Sequence, residues 1–406
     1  MVVDYNRFLS STGRQLAESA IRRMGTVVAG ATDLVSFAPG YPAPELFPWD
    51  ELREISAVLL TRADPDALQY GPTRGYAPLL ETIAGLSAER GIIAAPDQLM
   101  ITSGSQQGID LIARVMVSPG DVVLVELPTF TGGIAAFRNA QAHLVGVPQD
   151  AQGIDLDALE AAWQRERSAG RTIKLLYVIP NFQNPTGALL ALSRRRQLME
   201  WAGRRDVLIV EDDPYGSLYF EDAATAAETR PLRADDPEER VVYLSTFSKT
   251  LAPGFRVGWL VAAPALVQRF ETAKQSIDLT SGALDQLVVH EAVKRGVVQA
   301  LAPKLRALYA RKRDVMEQAI RAHIGGRLTW SPPKGGFFLW ATLPTGSSDH
   351  GLLERALAHG LVFVVGSAFY VDGTGHEKIR LSFSAPSIDR IEEGVKRLAK
   401  ALNAST

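Results

Sequence analysis

The sequence predicts an α/β fold in which a large domain carries a mostly parallel sheet between helices and both termini build a small α+β domain. Three observations support this. From about Leu99 to Ala263, short runs rich in β-branched residues alternate with helical patterns. Those runs, such as VVLVEL and VLIVED, are continuously apolar rather than alternating, as expected of strands covered on both faces. The two ends have a different texture: the segment before about Tyr70 is rich in Pro and Gly, and helices and short strands mix after about Lys304.

The elements follow in order. LMITSG leads into the helical QQGIDLIARVMVS, which Pro119-Gly120-Asp121 breaks before VVLVELP. A helical stretch around Ala135, the runs HLVGVP and IKLLYVIP, a helix from Ser193, and the runs VLIVEDD, VVYLSTFSK and RVGWLVA complete the large domain. Beyond Lys304 come a long helical stretch, GGFFLWATLP, an amphipathic LLERALAHG, VFVVGSAFY and KIRLSFSA. The chain closes on a helix whose Ile388, Ile391, Val395, Leu398 and Leu402 keep helical spacing. No internal repeat or long linker interrupts this order. The expected division is 1–65, 66–303 and 304–406.

Composition narrows the function. A chain of 406 residues with 46% apolar and 22% charged residues can bury a large core without disulfides or metals. Lys plus Arg number 43 against 45 Asp plus Glu, which argues against general nucleic-acid affinity. The absence of cysteine excludes disulfide scaffolds, thiolate nucleophiles and cysteine-bound zinc. MVVDYNRFLSSTGRQL does not read as a signal peptide, and no apolar run approaches the roughly 18 residues of a bilayer span. A cytoplasmic protein that binds neither membrane nor nucleic acid is expected.

The six histidines are scattered, none pairing at metal-ligand spacing, so no metal site is expected. Glu211-Asp212-Asp213 could bind Mg²⁺ at the end of a nucleotidase strand, but no GxxxxGK[ST] accompanies it. It also resembles the opening of a receiver domain, without the later Asp that one needs. Lys249 gives this acid another purpose. An isolated lysine would usually snorkel to solvent. Here it follows a buried strand, at the edge of a parallel sheet where ligands usually sit. Desolvated beside cations, such a lysine becomes an amine nucleophile able to join a carbonyl cofactor. Pyridoxal phosphate (PLP) would find its other needs close by. The turn from Ser103 to Gln106 at a helix start, with Arg256, suits a phosphate, and Asp212 at a strand end suits a pyridinium nitrogen. Tyr215 or Asn184 could donate to the ring oxygen.

SGSQQG, PNFQNPTG, VEDDPYG, STFSKTLAPGFRVGW and IRLSFS stand in the order seen in class I aminotransferases of PLP fold type I, and the resemblance covers essentially the whole chain. FAPGYPAPELFP, LQYGPTRGY and KGGFFLW make it most similar to the aminoadipate and kynurenine aminotransferase branch. The resemblance implies a seven-stranded sheet in a PLP-binding domain over 66–303. Lys249 then matches the Schiff-base lysine, Asp212 the pyridinium partner, and Tyr215 with Asn184 the groups on the ring oxygen. Ser105, Gln106, Thr246, Ser248 and Arg256 match the phosphate cup, flanked by Ser103 and Gly104, and Pro214 lies beside the ring contacts. Arg380 matches the arginine gripping the substrate α-carboxylate, assisted by Asn184 and the backbone at Gly40. Arg22, with Arg23 next to it, lies where this branch carries a substrate-recognising arginine. Phe130 stands where the ring-stacking residue is usually tyrosine, so stacking is kept and the hydroxyl lost. Tyr70 matches a tyrosine reaching the cofactor phosphate of the other subunit, which implies a homodimer with shared sites.

The activity implied is a ping-pong transfer of the α-amino group of an aminoadipate, aromatic or aliphatic amino acid to a 2-oxo acid such as 2-oxoglutarate. A β-lyase or α-decarboxylase would use many of the same residues. An aminotransferase-like sensing module of a transcription regulator is the other alternative. It needs a DNA-binding extension ahead of the fold, and no basic recognition helix precedes the small-domain sequence here.

Overall fold

The computed structural model describes residues 3–16 and 33–404. Strand β1 (Val35–Ser36) precedes two helices, Trp49–Thr61 and Ala77–Glu89. The chain then enters a large sheet: β2 (Leu99–Thr102), β3 (Val122–Leu127), β4 (His143–Asp150), β5 (Gly153–Ile154), β6 (Ile173–Val178), β7 (Leu208–Asp212), β8 (Val241–Thr246) and β9 (Gly258–Val261). Their spatial order is β2-β9-β8-β7-β6-β3-β4-β5. β9 runs antiparallel to β2 and β8, while β8, β7, β6, β3 and β4 are mutually parallel. The expected seven strands are therefore extended by one, because Asp150 and Gly153 close a tight hairpin that adds the two-residue β5 at the edge.

The alternation hidden inside the apolar runs shows how the sheet is covered. On β3, Val123 and Val125 face one buried cluster together with Ile109, Ile112 and Phe137, from helices Ser105–Met116 and Thr131–Asn139. Val122 and Leu124 face the opposite cluster with Leu159, Leu198 and Trp201, from helices Leu156–Ser168 and Leu192–Arg205. Successive side chains of a strand point to opposite faces, so a strand buried on both faces must be apolar throughout.

The remainder builds a four-stranded sheet, β10 (Thr329–Trp330), β11 (Phe338–Thr342), β13 (Val364–Val365) and β14 (Lys378–Ser382), in the order β10-β11-β14-β13. β1 pairs in parallel with β12 (Leu361–Val362), which ties the N-terminal segment to the C-terminal part. The closing helix, Ile388–Asn403, buries Ile391, Val395 and Leu398, whereas Ile388 and Leu402 at its ends are only half-buried. Gly394 lies among them because Phe37 and Val35 pack directly against its backbone; a Cβ there would come within 2.8 Å of Val35. The boundary expected at 303/304 falls inside one continuous helix, Val297–His323, which contains Pro303. Among the described residues, no helix is long and apolar enough to cross a membrane.

Candidate functional site

The parallel strands deliver their following residues to one edge of the large sheet, the usual ligand crevice of such sheets. Lys249 lies three residues past β8 and is half-buried. Its Nζ donates a 2.9 Å hydrogen bond to the Gly40 carbonyl. The rings of Tyr215 and Phe337 lie 6.0 and 5.7 Å from the same nitrogen. Burial, followed by the charges of Arg380 and Arg256, pushes the ammonium down to about 8, with Asp212 opposing. An amine in that range is available as a nucleophile and as a base near neutrality. Gly40 must be glycine for this approach, since a Cβ would overlap the Phe338 ring at 2.6 Å.

Asp212 ends β7 and is 2% exposed. Its Oδ2 accepts 2.8 Å from Tyr177 Oη, while its Oδ1 is buried with no partner. Burial raises the carboxyl to about 7; Asp213 adds to the rise, and Tyr177 and Lys249 oppose it. A buried carboxylate oxygen left open is costly unless a ligand donates to it, so the protein fits a group with a protonated ring nitrogen at this point. The adjacent Asp213 is already saturated, by Arg90 Nη1 at 2.5 Å, Asn181 Nδ2 at 2.9 Å and Tyr243 Oη at 3.2 Å.

A cup for an anion forms where three segments meet. Gly104, at φ +77, is the N-cap of helix Ser105–Met116 and brings no capping side chain, which leaves the helix start open. A Cβ at Gly104 would collide with the Arg256 guanidinium. Arg256 itself sits at φ +52, donates 3.2 Å to the Ser103 carbonyl, and lies 3.5 Å from Ser248 Oγ. Thr246 Oγ1 joins Ser248 Oγ at 2.9 Å. Ser103 Oγ is turned to Asp278 at 2.9 Å and to Ser281 at 3.2 Å, and Gln106 Nε2 donates 3.0 Å to the Gly132 carbonyl. Phe130 caps helix Thr131–Asn139 and covers Gly132, where a Cβ would meet its ring at 2.5 Å.

Arg380 enters from β14, is 1% exposed, and donates 2.8 Å to Asn184 Oδ1 and also to the Ala38 carbonyl. Its guanidinium stacks over Phe338 at 4.2 Å and Phe369 at 5.0 Å, and its Nε has no partner. Burial lowers it to about 9, with Tyr215 opposing. A planar cation held by stacking, with a donor to spare, suits a carboxylate. Tyr215 is buried against Phe337 and Phe338 at 5.3 and 6.0 Å, and burial drives its phenol up. Pro214, half-buried, links it to the acid pair.

Lys249, Asp212, Tyr215, Asn184, Arg380 and the 103–106 and 246–256 segments thus surround one region. Tyr70 does not join them: it is 77% exposed and lines a cavity of about 120 Å³ with Asp66, Tyr76 and Gln286. Arg22 and Arg23 lie outside the described residues. Sequence reasoning did not single out Tyr177, Arg90 or Asn181. A tyrosine inside the otherwise aliphatic LLYV run was the available signal for the first. Residue spacing also hid one cluster, in which His350, His376 and Asp349 bring ligand atoms within 4.8 Å of one another. The Asp349 carboxylate is already engaged there, by Ser367 Oγ at 2.6 Å, Ser367 N at 3.0 Å and His350 N at 2.8 Å.

Comparison with known proteins gives a consistent picture. The family model described as aminotransferase class I and II matches residues 49–398. The chain is 39% identical to aromatic-amino-acid aminotransferase 1 of Thermococcus litoralis, over 98% of this chain and 95% of that protein. It is 41% identical to 2-aminoadipate transaminase of Thermus thermophilus, over 91% and 90% of the two. The crystal structure of Pyrococcus horikoshii kynurenine aminotransferase in complex with PMP superposes with a TM-score of 0.92, at 38% identity and 98% coverage of both chains.

Proposed function

This chain belongs to the aminotransferase class I and II family, and on that premise we propose that it transfers the α-amino group of an aminoadipate, aromatic or aliphatic amino acid to a 2-oxo acid such as 2-oxoglutarate, with pyridoxal phosphate held at Lys249. The observation that carries this reading is the pairing of a low-pKa amine at Lys249 with a buried, half-open carboxylate at Asp212. When bound, pyridoxal phosphate supplies an aldehyde for an amine and a ring that takes up the charge left by a departing α-proton.

The chain's own residues divide the remaining work. Lys249 Nζ would hold the cofactor at rest and, as a free amine, would serve as the base that takes the proton from the substrate's α-carbon. Its bond to the Gly40 carbonyl keeps the amine close when it is free. Asp212 Oδ1 would receive the ring N–H and, as a carboxylate, would favour a protonated nitrogen. Tyr215 and Asn184 are assigned to the ring oxygen, and Phe130 to the ring face. Ser103, Gly104, Ser105, Gln106, Thr246, Ser248 and Arg256 are assigned to the phosphate. Arg380 grips the α-carboxylate, with its buried guanidinium held over the Phe338 and Phe369 rings. Arg22 is assigned to the donor's side chain.

The reading extends to a cytoplasmic homodimer in which Tyr70 serves the partner's phosphate site, in keeping with its exposure within one chain. A hybrid of Lys249→Ala and Tyr70→Ala chains tests this: activity recovers towards half if Tyr70 acts across the interface, and not at all if it acts within its own chain. The direct test of function incubates the holoenzyme with a panel of amino donors and 2-oxoglutarate. Stoichiometric formation of glutamate and a 2-oxo acid is expected; loss of carbon dioxide or of a β-substituent would reject amino transfer.

A further inference from the structure

The carboxylate of Asp212 is held by a residue that belongs to none of the linear motifs. Tyr177 on β6 is fully buried, and its Oη donates the 2.8 Å bond to Asp212 Oδ2. β6 and β7 are parallel neighbours with Tyr177 opposite Val210, and both side chains lie in one cluster. Asp212, two residues beyond Val210, emerges on that same face. The phenol is fixed from the other side as well. Phe137 meets its ring edge-on at 5.7 Å. Gly133 leaves the necessary space, since a Cβ there would lie 2.9 Å from the ring and 3.2 Å from Oη.

We propose that Tyr177 is a positioning residue for amino transfer: its hydroxyl holds Asp212 ionised and aimed, so that Oδ1 is left for the ring nitrogen of the cofactor. This rests on the assignment of Asp212 made above. Two influences compete at Asp212. Burial drives Asp212 to take up a proton, and a hydrogen bond to the ionised form opposes that. The other charges nearby are Asp213, which raises Asp212 and is itself paired with Arg90, and Lys249, which lowers it. Burial, followed by Asp212, Glu126 and Tyr215, pushes the Tyr177 phenol upward, so it remains a donor throughout the neutral range. Without the hydroxyl, Oδ2 would join Oδ1 as a buried oxygen with no protein partner. The carboxyl would then keep the proton that the ring nitrogen requires.

The test uses holoenzyme loaded with pyridoxal phosphate carrying ¹⁵N in the ring, observed by NMR. Wild type should show a protonated nitrogen and Asp212→Asn a neutral one. Tyr177→Phe should move the resonance towards the neutral position with cofactor still bound, and slow proton transfer in the half-reaction by about 10- to 100-fold. Should the Phe variant fold poorly, 3-fluoro- and 3,5-difluorotyrosine at position 177 keep the ring and strengthen the donor. They should shift the resonance stepwise in the opposite direction. A nitrogen signal in Tyr177→Phe identical to wild type would overturn the proposal even if turnover fell, since lost packing alone would explain that. An unresponsive signal across the fluorinated pair would overturn it equally. A protonated nitrogen in Asp212→Asn would remove the Asp212 assignment and this inference with it.

Discussion

The two faces of the sheet at the end of β7 treat neighbouring carboxylates in opposite ways. On one face, Glu211 receives the Leu232 and Arg233 backbone N–H groups at 2.8 and 2.9 Å, and Asp213 is closed off by Arg90, Asn181 and Tyr243. On the other, Asp212 has one oxygen bonded to Tyr177 and one bonded to nothing. Both regions are buried, so burial alone does not distinguish scaffold from chemistry. Saturation does so only together with position. Asp236 also keeps one buried oxygen without a partner, but its other oxygen ties Arg233 and the Val241 N–H into the scaffold, whereas the open oxygen of Asp212 lies at the sheet edge near Lys249.

Asp212→Asn preserves shape and removes charge, and should cut turnover by about 100- to 1000-fold while leaving unfolding little changed. Asp213→Asn should do the reverse, because Arg90 loses its buried partner. Urea unfolding should show a loss of about 3–5 kcal/mol, with turnover per folded molecule largely kept. If the two variants exchange these phenotypes, the roles of the two faces are inverted.

Arg380→Lys tests the contribution of the small sheet. It keeps the charge and loses the planar fork, so KM for every donor with a free α-carboxylate should rise by about 10- to 100-fold whatever the side chain. A rise confined to some donors would make Arg380 a side-chain reader instead.

A smaller effect appears in pH dependence. Lys249 is lowered to about 8, so its reactive neutral form grows as pH rises through that value. The rate at which cofactor-free protein takes up pyridoxal phosphate covalently should climb about tenfold per unit below pH 8 and level off above it. A midpoint near the ordinary lysine value of about 10.4 would mean that the amine is not desolvated as described.

The legibility of these features follows from how local each one is. Lys249, Asp212 and Asn184 each lie at or just beyond a strand end, in short motifs that sequence alone displays, and the structure gathers them. The fate of Asp213 was hidden because its partner Arg90 is 123 residues away, on a helix-terminal turn with no motif of its own. Tyr177 was hidden differently, inside an apolar run where only the pairing of β6 with β7 reveals which face it takes. The two-residue β5 and the glycine contact at Gly394 also depend on partners distant in sequence. His350 and His376 illustrate the same limit, since the first turn of helix Asp349–Ala358 and a turn distant in sequence bring them together.

The role of Lys249 as the carrier of the cofactor can be measured without reference to turnover. Holoenzyme is reduced with borohydride, digested, and the pyridoxyl-bearing peptide sequenced. A single labelled peptide containing Ser248-Lys249-Thr250 is expected, and no label in Lys249→Ala. Label on another lysine, such as the buried Lys274 or Lys312, would contradict it.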